Sequence, residues 1–483
     1  MYPQTVQLLI NNRWRAPDGD DCIPVINPAT EAVLGVVAKA SHNDIAEAVA
    51  AAESGFAVWS AASAYDRSRV LRRAADLLRE RAESIAQLLT AEQGKPLAEA
   101  RTEIVNAADI LDWFAEEGRR TYGRIIPARA PQIRQNVTLH PVGAVAAFTP
   151  WNFPINQASR KIGAALAAGC SIVLKGPEEA PAACAALVGA LLDAGLPPGV
   201  VNLVFGDPAR ISDQLIRHPA IRKVSFTGST AVGKTLAALA GAQMKLMTME
   251  LGGHAPALIF DDADVDDAAV KLAAAKFRNA GQICVAPSRF LVHVKVYERF
   301  MSAFLAQVDR IKVGDGTVAG TTMGPLANRR RLDALLDLVG DAKANGAQVI
   351  TGGHRIGNQG FFFAPTVTAD APRAARLLHE EPFGPIAVIN RFKDDAEALA
   401  EANRLPFGLA SYAFTHNASR IAVLSDRIEA GMLAVNHTAI AIPELPFGGV
   451  KESGFGSEGG SEAIRHYLTP KSVTTLLPQA APS

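Results

Sequence analysis

The chain has 483 residues, 49% of them hydrophobic and 20% charged, with Lys plus Arg and Asp plus Glu balanced at 48 each. That length predicts two or three domains with cores of their own, and the charge balance leaves no global field to draw nucleic acid or an anionic membrane as partner. The uncharged runs, such as 162–174 between Lys161 and Lys175, are shorter than the roughly 18 apolar residues of a membrane span, and Met1-Tyr2-Pro3-Gln4-Thr5 lacks the basic-then-apolar order of a signal peptide. Cys22, Cys170, Cys184 and Cys284 are scattered without CxxC or His spacing. That usage predicts a reducing, cytoplasmic setting and no metal site.

In chain order, short alternating runs broken by Asn11-Asn12, Asp18-Gly19 and Asn27-Pro28 predict hairpins between Val6 and Val37. Helical spacing follows. A segment capped by Asn43 or Asp44 runs through Trp59, and apolar residues from Val70 to Leu88 predict one long helix over 67–90, stopped by Gly94-Lys95-Pro96. A third helix over 97–117 precedes a polar stretch to His140 that predicts a protruding hairpin. From Val142, strands at 142–148, 171–174, 201–205, 223–226 and 245–250 alternate with helices at 156–168, 181–192, 209–216 and 231–240. This is the cadence of a mostly parallel, dinucleotide-binding sheet, although no GxGxxG follows any strand. A second series has strands at 255–260, 289–294 and 432–436 and helices at 265–277 and 297–308. Glycine-rich loops at 446–451 and 454–460, a last strand at 472–477 and a frayed end at 478–483 complete the chain.

Three stretches carry chemistry. Phe277-Arg278-Asn279-Ala280-Gly281-Gln282-Ile283-Cys284 brings a thiol into a loop after a helix, and Met249-Glu250-Leu251-Gly252-Gly253 sets a carboxylate beside two glycines. A lone cysteine is more often a buried structural thiol; its loop, unmatched by the other three, makes Cys284 the candidate nucleophile. Thr149-Pro150-Trp151-Asn152-Phe153-Pro154 ends a strand, where open α/β sheets bind ligands, and Asn152 offers either an oxyanion donor or a simple turn residue. Lys175 and Glu178 end the next strand as a ribose-holding or a solvated pair. The stretch 228–235 reads GxxxxGK[ST], a match to a phosphate-binding P-loop. Several strands precede it and a cysteine loop follows, which phosphoryl transfer does not use. A helix N-terminus facing a dinucleotide pyrophosphate is the better reading.

As a set, TPWNFP at 149–154, KGPEE at 175–179, FTGST at 226–230, MELGG at 249–253, GQIC at 281–284 and EPFGP at 381–385, with Cys284 34 positions after Glu250, resemble the aldehyde dehydrogenase superfamily. The similarity runs from Asn27-Pro28-Ala29-Thr30 to Pro446-Phe447-Gly448-Gly449. It implies an α/β fold with a Rossmann-type cofactor domain (1–117 and 140–250) and an α/β catalytic domain (251–436). It further implies a small β oligomerisation element (118–139 and 463–483), a return segment over 437–462 lining the active site, and a homodimer or homotetramer. By the same resemblance, Cys284, Glu250 and Asn152 are catalytic, and NAD, with NADP possible, is held by Thr149, Pro150, Trp151, Lys175, Glu178, Gly206, Gly228, Ser229, Val232, Leu251, Glu381 and Phe383. No metal is implied. Relatives that pass the acyl group to coenzyme A generally lack the glutamate, so Glu250 implies hydrolysis to a free acid.

Arg160 and Arg278 match positions at which succinate-semialdehyde dehydrogenases clamp a distal carboxylate, a task suited to a guanidinium fork. Taken singly, each also fits a plainer part: Arg160 on a solvated helix face, Arg278 complementing a helix C-terminus. The wider text is most similar to dehydrogenases of 2-oxoglutarate semialdehyde (2,5-dioxopentanoate). Ala286 stands where some relatives carry a polar or thiol residue. An uncharged or betaine aldehyde is the alternative substrate, and a catalytically silent binding protein the alternative class.

Overall fold

The computed structural model describes residues 2–17 and 21–478. The turn predicted at Asp18-Gly19 and the frayed end beyond Pro478 lie outside the described residues.

An eight-stranded sheet runs in the order Gly454–Phe455, Leu246–Glu250, Ile221–Thr227, Ala144–Phe148, Ser171–Lys175, Val201–Val204, Leu8–Ile10, Arg13–Arg15. Its middle strands, from Leu246–Glu250 to Val201–Val204, are parallel. Ala144–Phe148 and Ser171–Lys175 are buried throughout, as expected where helices cover both faces. The chain lays strands outward from Ala144–Phe148 in one direction and then returns to add Ile221–Thr227 on its other side. Strand order therefore reverses between these two, and the loops leaving their carboxyl ends diverge into a crevice. Those loops carry Thr149 to Phe153 and Gly228-Ser229.

A second sheet of seven strands, in the order Gln348–Thr351, Thr366–Ala369, Ile386–Phe392, Arg289–His293, Pro256–Ile259, Ala410–Phe414, Met432–Val435, is parallel except at its Gln348–Thr351 edge. A third, antiparallel sheet joins Leu468–Leu476 to Ile133–Pro141 and Arg124–Ile126. The hairpin predicted before His140 is thus present, and the last strand pairs with it along nine residues.

Two local predictions change. The helix predicted over 67–90 is two helices, Ala64–Glu80 and Ala82–Gln93, broken at Arg81 (φ −100°, ψ 7°). Both halves pack against the helices Leu97–Glu117 and Pro181–Asp193, so the apolar period survives the break and hides it. The first helix is capped by Ser41 rather than Asn43 or Asp44. Asp44 is its third residue and completes a capping box, Ser41 Oγ accepting from Asp44 N at 3.1 Å and Asp44 accepting from Ser41 N at 2.8 Å.

Candidate active site

The helix Val265–Phe277 starts at an Asp264 cap and delivers its last turn to the Cys284 loop. There the chain turns through Asn279, Ala280 and Gly281, all left-handed (φ 49°, 51° and 70°). Such a conformation costs of order 1–3 kcal/mol for each non-glycine residue. Side chains hold it. Asn279 Oδ1 accepts from Gln93 Nε2 (2.9 Å), Gln282 Nε2 donates to Asn279 O (3.0 Å), and Gln282 Oε1 accepts from Ala327 N (2.9 Å). A Cβ on Gly281 would fall 2.1 Å from Gly384 O. Gly281→Ala is therefore expected to cost roughly 3 kcal/mol or more. Denaturant unfolding checks it, and an unshifted midpoint would contradict this packing.

Cys284 is partly exposed to a cavity of about 400 Å³ that Arg160, Arg278, Phe153, Tyr412 and Phe447 also line. Cys170 and Cys184 are buried in the core, and Cys22 lies on an N-terminal strand. Burial pushes the Cys284 thiol pKa up, the Glu250 and Glu381 carboxylates act the same way, and its own backbone N–H and Arg160 oppose them.

Arg160 does not occupy a solvated helix face. It is buried, donates through Nη1 to Glu458 O and through Nη2 to Ala441 O, both at 2.9 Å, and lies 4.6 Å from the Phe447 ring centroid. Arg278 is exposed, lies 5.8 Å from the Phe153 ring centroid, and makes no side-chain hydrogen bond or ion pair among the described residues. The fixed guanidinium and the free one meet the cavity from different elements.

Glu250 ends its strand, is buried, and has an Oε1 with no hydrogen-bond partner among the described residues. Burial first and Glu458 second hold its carboxyl well above the usual range, with Lys161 and Arg160 opposing. Glu458 is itself ion-paired to Lys161, which also donates to Thr227 Oγ1 at 2.7 Å. Asn152 donates through Nδ2 to Gln282 O at 3.0 Å, two residues before Cys284. The oxyanion candidate and the nucleophile loop are thus tied directly together. Tyr412, whose hydroxyl donates to Val285 O at 2.6 Å, is a cavity wall that no local motif signals.

The predicted cofactor residues gather around the crevice. Thr149 N donates to Lys175 O (3.2 Å), with Pro150 next in the chain, and Trp151 meets Phe383 edge to face at 5.6 Å. Lys175 Nζ pairs with Glu178 at 2.6 Å, and the other Glu178 oxygen accepts from Gly206 N at 2.9 Å. Gly228 N donates to Glu250 O (3.0 Å), and Ser229 caps the helix Thr230–Ala242 by accepting from Val232 N. Leu251 packs so tightly on Gly233 that a Cβ there would lie 2.2 Å away. Glu381, its pKa raised to about 8 chiefly by burial, has an Oε1 with no hydrogen-bond partner among the described residues. Lys234, the lysine of the P-loop lettering, is paired to Glu452 at 2.8 Å. A helix N-terminus for pyrophosphate, carboxylates at strand ends for ribose hydroxyls and a buried acceptor without a partner fit a dinucleotide.

Among the described residues no helix is long and apolar enough to cross a membrane. The profile of the "Aldehyde dehydrogenase family" matches residues 14–473. The chain is 47% identical over 465 residues to 4-(hydroxymethyl)benzenesulfonate dehydrogenase TsaD1 of Comamonas testosteroni, covering 96% of this chain and 97% of that one. It is 41% identical to the succinate-semialdehyde dehydrogenase [NADP(+)] GabD of Escherichia coli, with 96% of each covered. Among solved structures, the succinate-semialdehyde dehydrogenase from Burkholderia pseudomallei superposes with a TM-score of 0.96 at 42% identity, covering 98% of both chains.

Proposed function

We propose, from the premise that this chain belongs to the aldehyde dehydrogenase family and is an NAD(P)-dependent aldehyde dehydrogenase, that its substrate is an aldehyde with an anionic group at the far end. The first choice is the ω-semialdehyde of a dicarboxylic acid, succinate semialdehyde or 2-oxoglutarate semialdehyde. One observation carries the reading: Cys284 opens into the same cavity as two guanidinium groups. Arg278, with no side-chain hydrogen bond or ion pair among the described residues, is the better candidate for the charge-assisted contact. Arg160, already bound to two main-chain carbonyls, supplies a fixed positive wall.

In this assignment the Cys284 thiolate attacks the aldehyde carbon, forming the C–S bond while the carbonyl electron pair moves to oxygen. The Asn152 amide and the Cys284 N–H donate to that oxyanion. NAD(P), when bound, supplies the hydride acceptor. Glu250 then takes a proton from water, the water attacks the thioester carbon, and the Cys284 thiolate leaves with the acid released. The Glu178 carboxylate would accept ribose hydroxyls and repel a 2′-phosphate, which favours NAD. The third sheet, with Ile125 85% and Leu476 68% exposed, is assigned to contact between subunits in a dimer or tetramer.

A second reading has its own support. Phe153, Tyr412 and Phe447 give the cavity aromatic walls, and a relative at 47% identity is named for a benzenesulfonate. An aromatic aldehyde bearing a sulfonate or carboxylate suits the same guanidinium groups. NADH formation with succinate semialdehyde, 2-oxoglutarate semialdehyde, 4-formylbenzenesulfonate, propanal and betaine aldehyde in parallel separates the readings. Arg278→Ala should raise KM for the preferred anionic aldehyde about 10- to 100-fold, the value of a charged hydrogen bond, and leave propanal unchanged. Equal turnover of the uncharged aldehydes would discard the anion requirement and keep the dehydrogenase.

A further inference from the structure

At the cavity wall, where Glu99 and Glu103 are among the lining residues, lies a buried polar lattice that the sequence disguises as a helix stop. Gly94 (φ 95°) ends the helix Ala82–Gln93, and the Lys95 side chain that follows is fully enclosed. Its Nζ donates to Glu103 at 2.5 Å and to the main-chain oxygen of Asn152 at 2.8 Å, and sits 3.9 Å from the Phe153 ring centroid. The other Glu103 oxygen accepts the main-chain N–H groups of Ile155 (3.0 Å) and Asn156 (3.3 Å). These open the helix Pro154–Ala168, whose N-cap residue Phe153 makes no capping bond. Asn279 Nδ2 donates to the same Asn152 oxygen at 3.0 Å, and Asn279 N donates to Glu99 at 2.8 Å. The main chain around Asn152 is therefore gripped from behind by Lys95, Glu103 and Asn279, while the Asn152 amide is turned towards the Cys284 loop.

We propose that Lys95 and Glu103 are a positioning pair for the reaction: by fixing the main chain of Asn152, they aim its amide at the aldehyde oxygen as that atom takes up negative charge. The inference rests on the oxyanion role assigned to Asn152 above. An oxyanion donor is effective only when it is pre-organised, and a misplacement of about 1 Å can cost about 10²-fold. A buried ion pair is a weak source of stability, because desolvation offsets its attraction, and an apolar pair of similar volume commonly serves as well. What this ion pair adds is direction. It makes three separate bonds to the backbone of 152–156 from two fully enclosed side chains.

The test compares Lys95→Met/Glu103→Gln, which removes both charges of the pair together, with Asn152→Ala and with the triple variant. It reads the first-turnover burst of NADH, KM and the thermal midpoint, using the best aldehyde of the parallel assay. The paired change should slow the burst about 30- to 100-fold with KM within about twofold, and should slow it by less than about twofold when Asn152 is already Ala, since its target is gone. Full additivity in that background overturns the positioning role alone, and so does an unchanged burst in the paired variant. An unchanged burst in Asn152→Ala overturns the oxyanion reading and this inference with it. Should the paired variant not fold, Glu103→Asp keeps the charge and shortens its reach, and the same two results are read in its place.

Discussion

Cys284→Ala is expected to lower NADH formation by four orders of magnitude or more, roughly the loss seen when a covalent nucleophile is removed. No other thiol can substitute: Cys170 and Cys184 are buried in the core with pKa values raised by desolvation, and Cys22 lies on an N-terminal strand. Without the C–S bond there is no tetrahedral oxyanion to collapse, and the Asn152 amide has nothing to stabilise. Binding of NAD, followed by quenching of Trp151 fluorescence or by calorimetry, should persist, because the crevice at the strand ends lacks Cys284. Retained turnover would remove the covalent mechanism. A silent binding protein would instead show no turnover in the unaltered chain.

Glu250→Gln should separate the two halves of the cycle. Thiol attack and hydride loss do not require the carboxylate, so each active site should release one NADH in a burst. Hydrolysis then slows about 10²- to 10⁴-fold, the usual contribution of a general base. The trapped thioester is countable by intact mass as one acyl adduct on Cys284. Absence of both burst and adduct would mean that Glu250 acts before hydride loss. The pH profile gives a second check. Burial and Glu458 raise the Glu250 pKa above its ordinary 4.5. The base form is therefore lost as pH falls through a value well above 4.5, and deacylation should rise with pH across the range above it. Burial also raises the Cys284 thiol, so acylation should rise with pH as well. In Glu250→Gln the burst should still rise with pH, with its limb moved to lower pH because one of the carboxylates that raise the Cys284 thiol is gone, while the slow steady rate loses the Glu250 limb.

Local pattern was enough for much of the chain. The helices Leu97–Glu117, Val265–Phe277 and Tyr297–Val308 have the predicted bounds, because period, caps and breakers lie within each segment. The central strands of the first sheet were legible as buried apolar runs between helices. Between 309 and 431 no element is assigned from sequence, although Leu332, Leu335, Leu338, Val339 and Ala342 keep a helical period; the fold builds the helix Arg329–Ala344 there and the strands Thr366–Ala369 and Ile386–Phe392. Those strands are buried on nearly every residue, so even the alternating Thr366-Val367-Thr368-Ala369 is covered on both faces, as in a parallel sheet.

For the site, the chemical types are readable along the chain: a thiol in a loop, a carboxylate before two glycines, an amide at a strand end and two arginines. Their surroundings come from packing. It buried Arg160 against the carbonyls of Ala441 and Glu458, left Arg278 without an ion pair among the described residues, and turned Lys234 to Glu452. It also brought Lys95 to an oxygen 57 residues away and Asn279 to the same oxygen from 127 residues beyond it. Periodicity reports which face of a segment is covered, and it carries no record of what covers it. Hydrogen bonds across such distances form only once two sheets and their helices have packed, and there the low dielectric makes every unpaired polar group costly enough to fix the geometry.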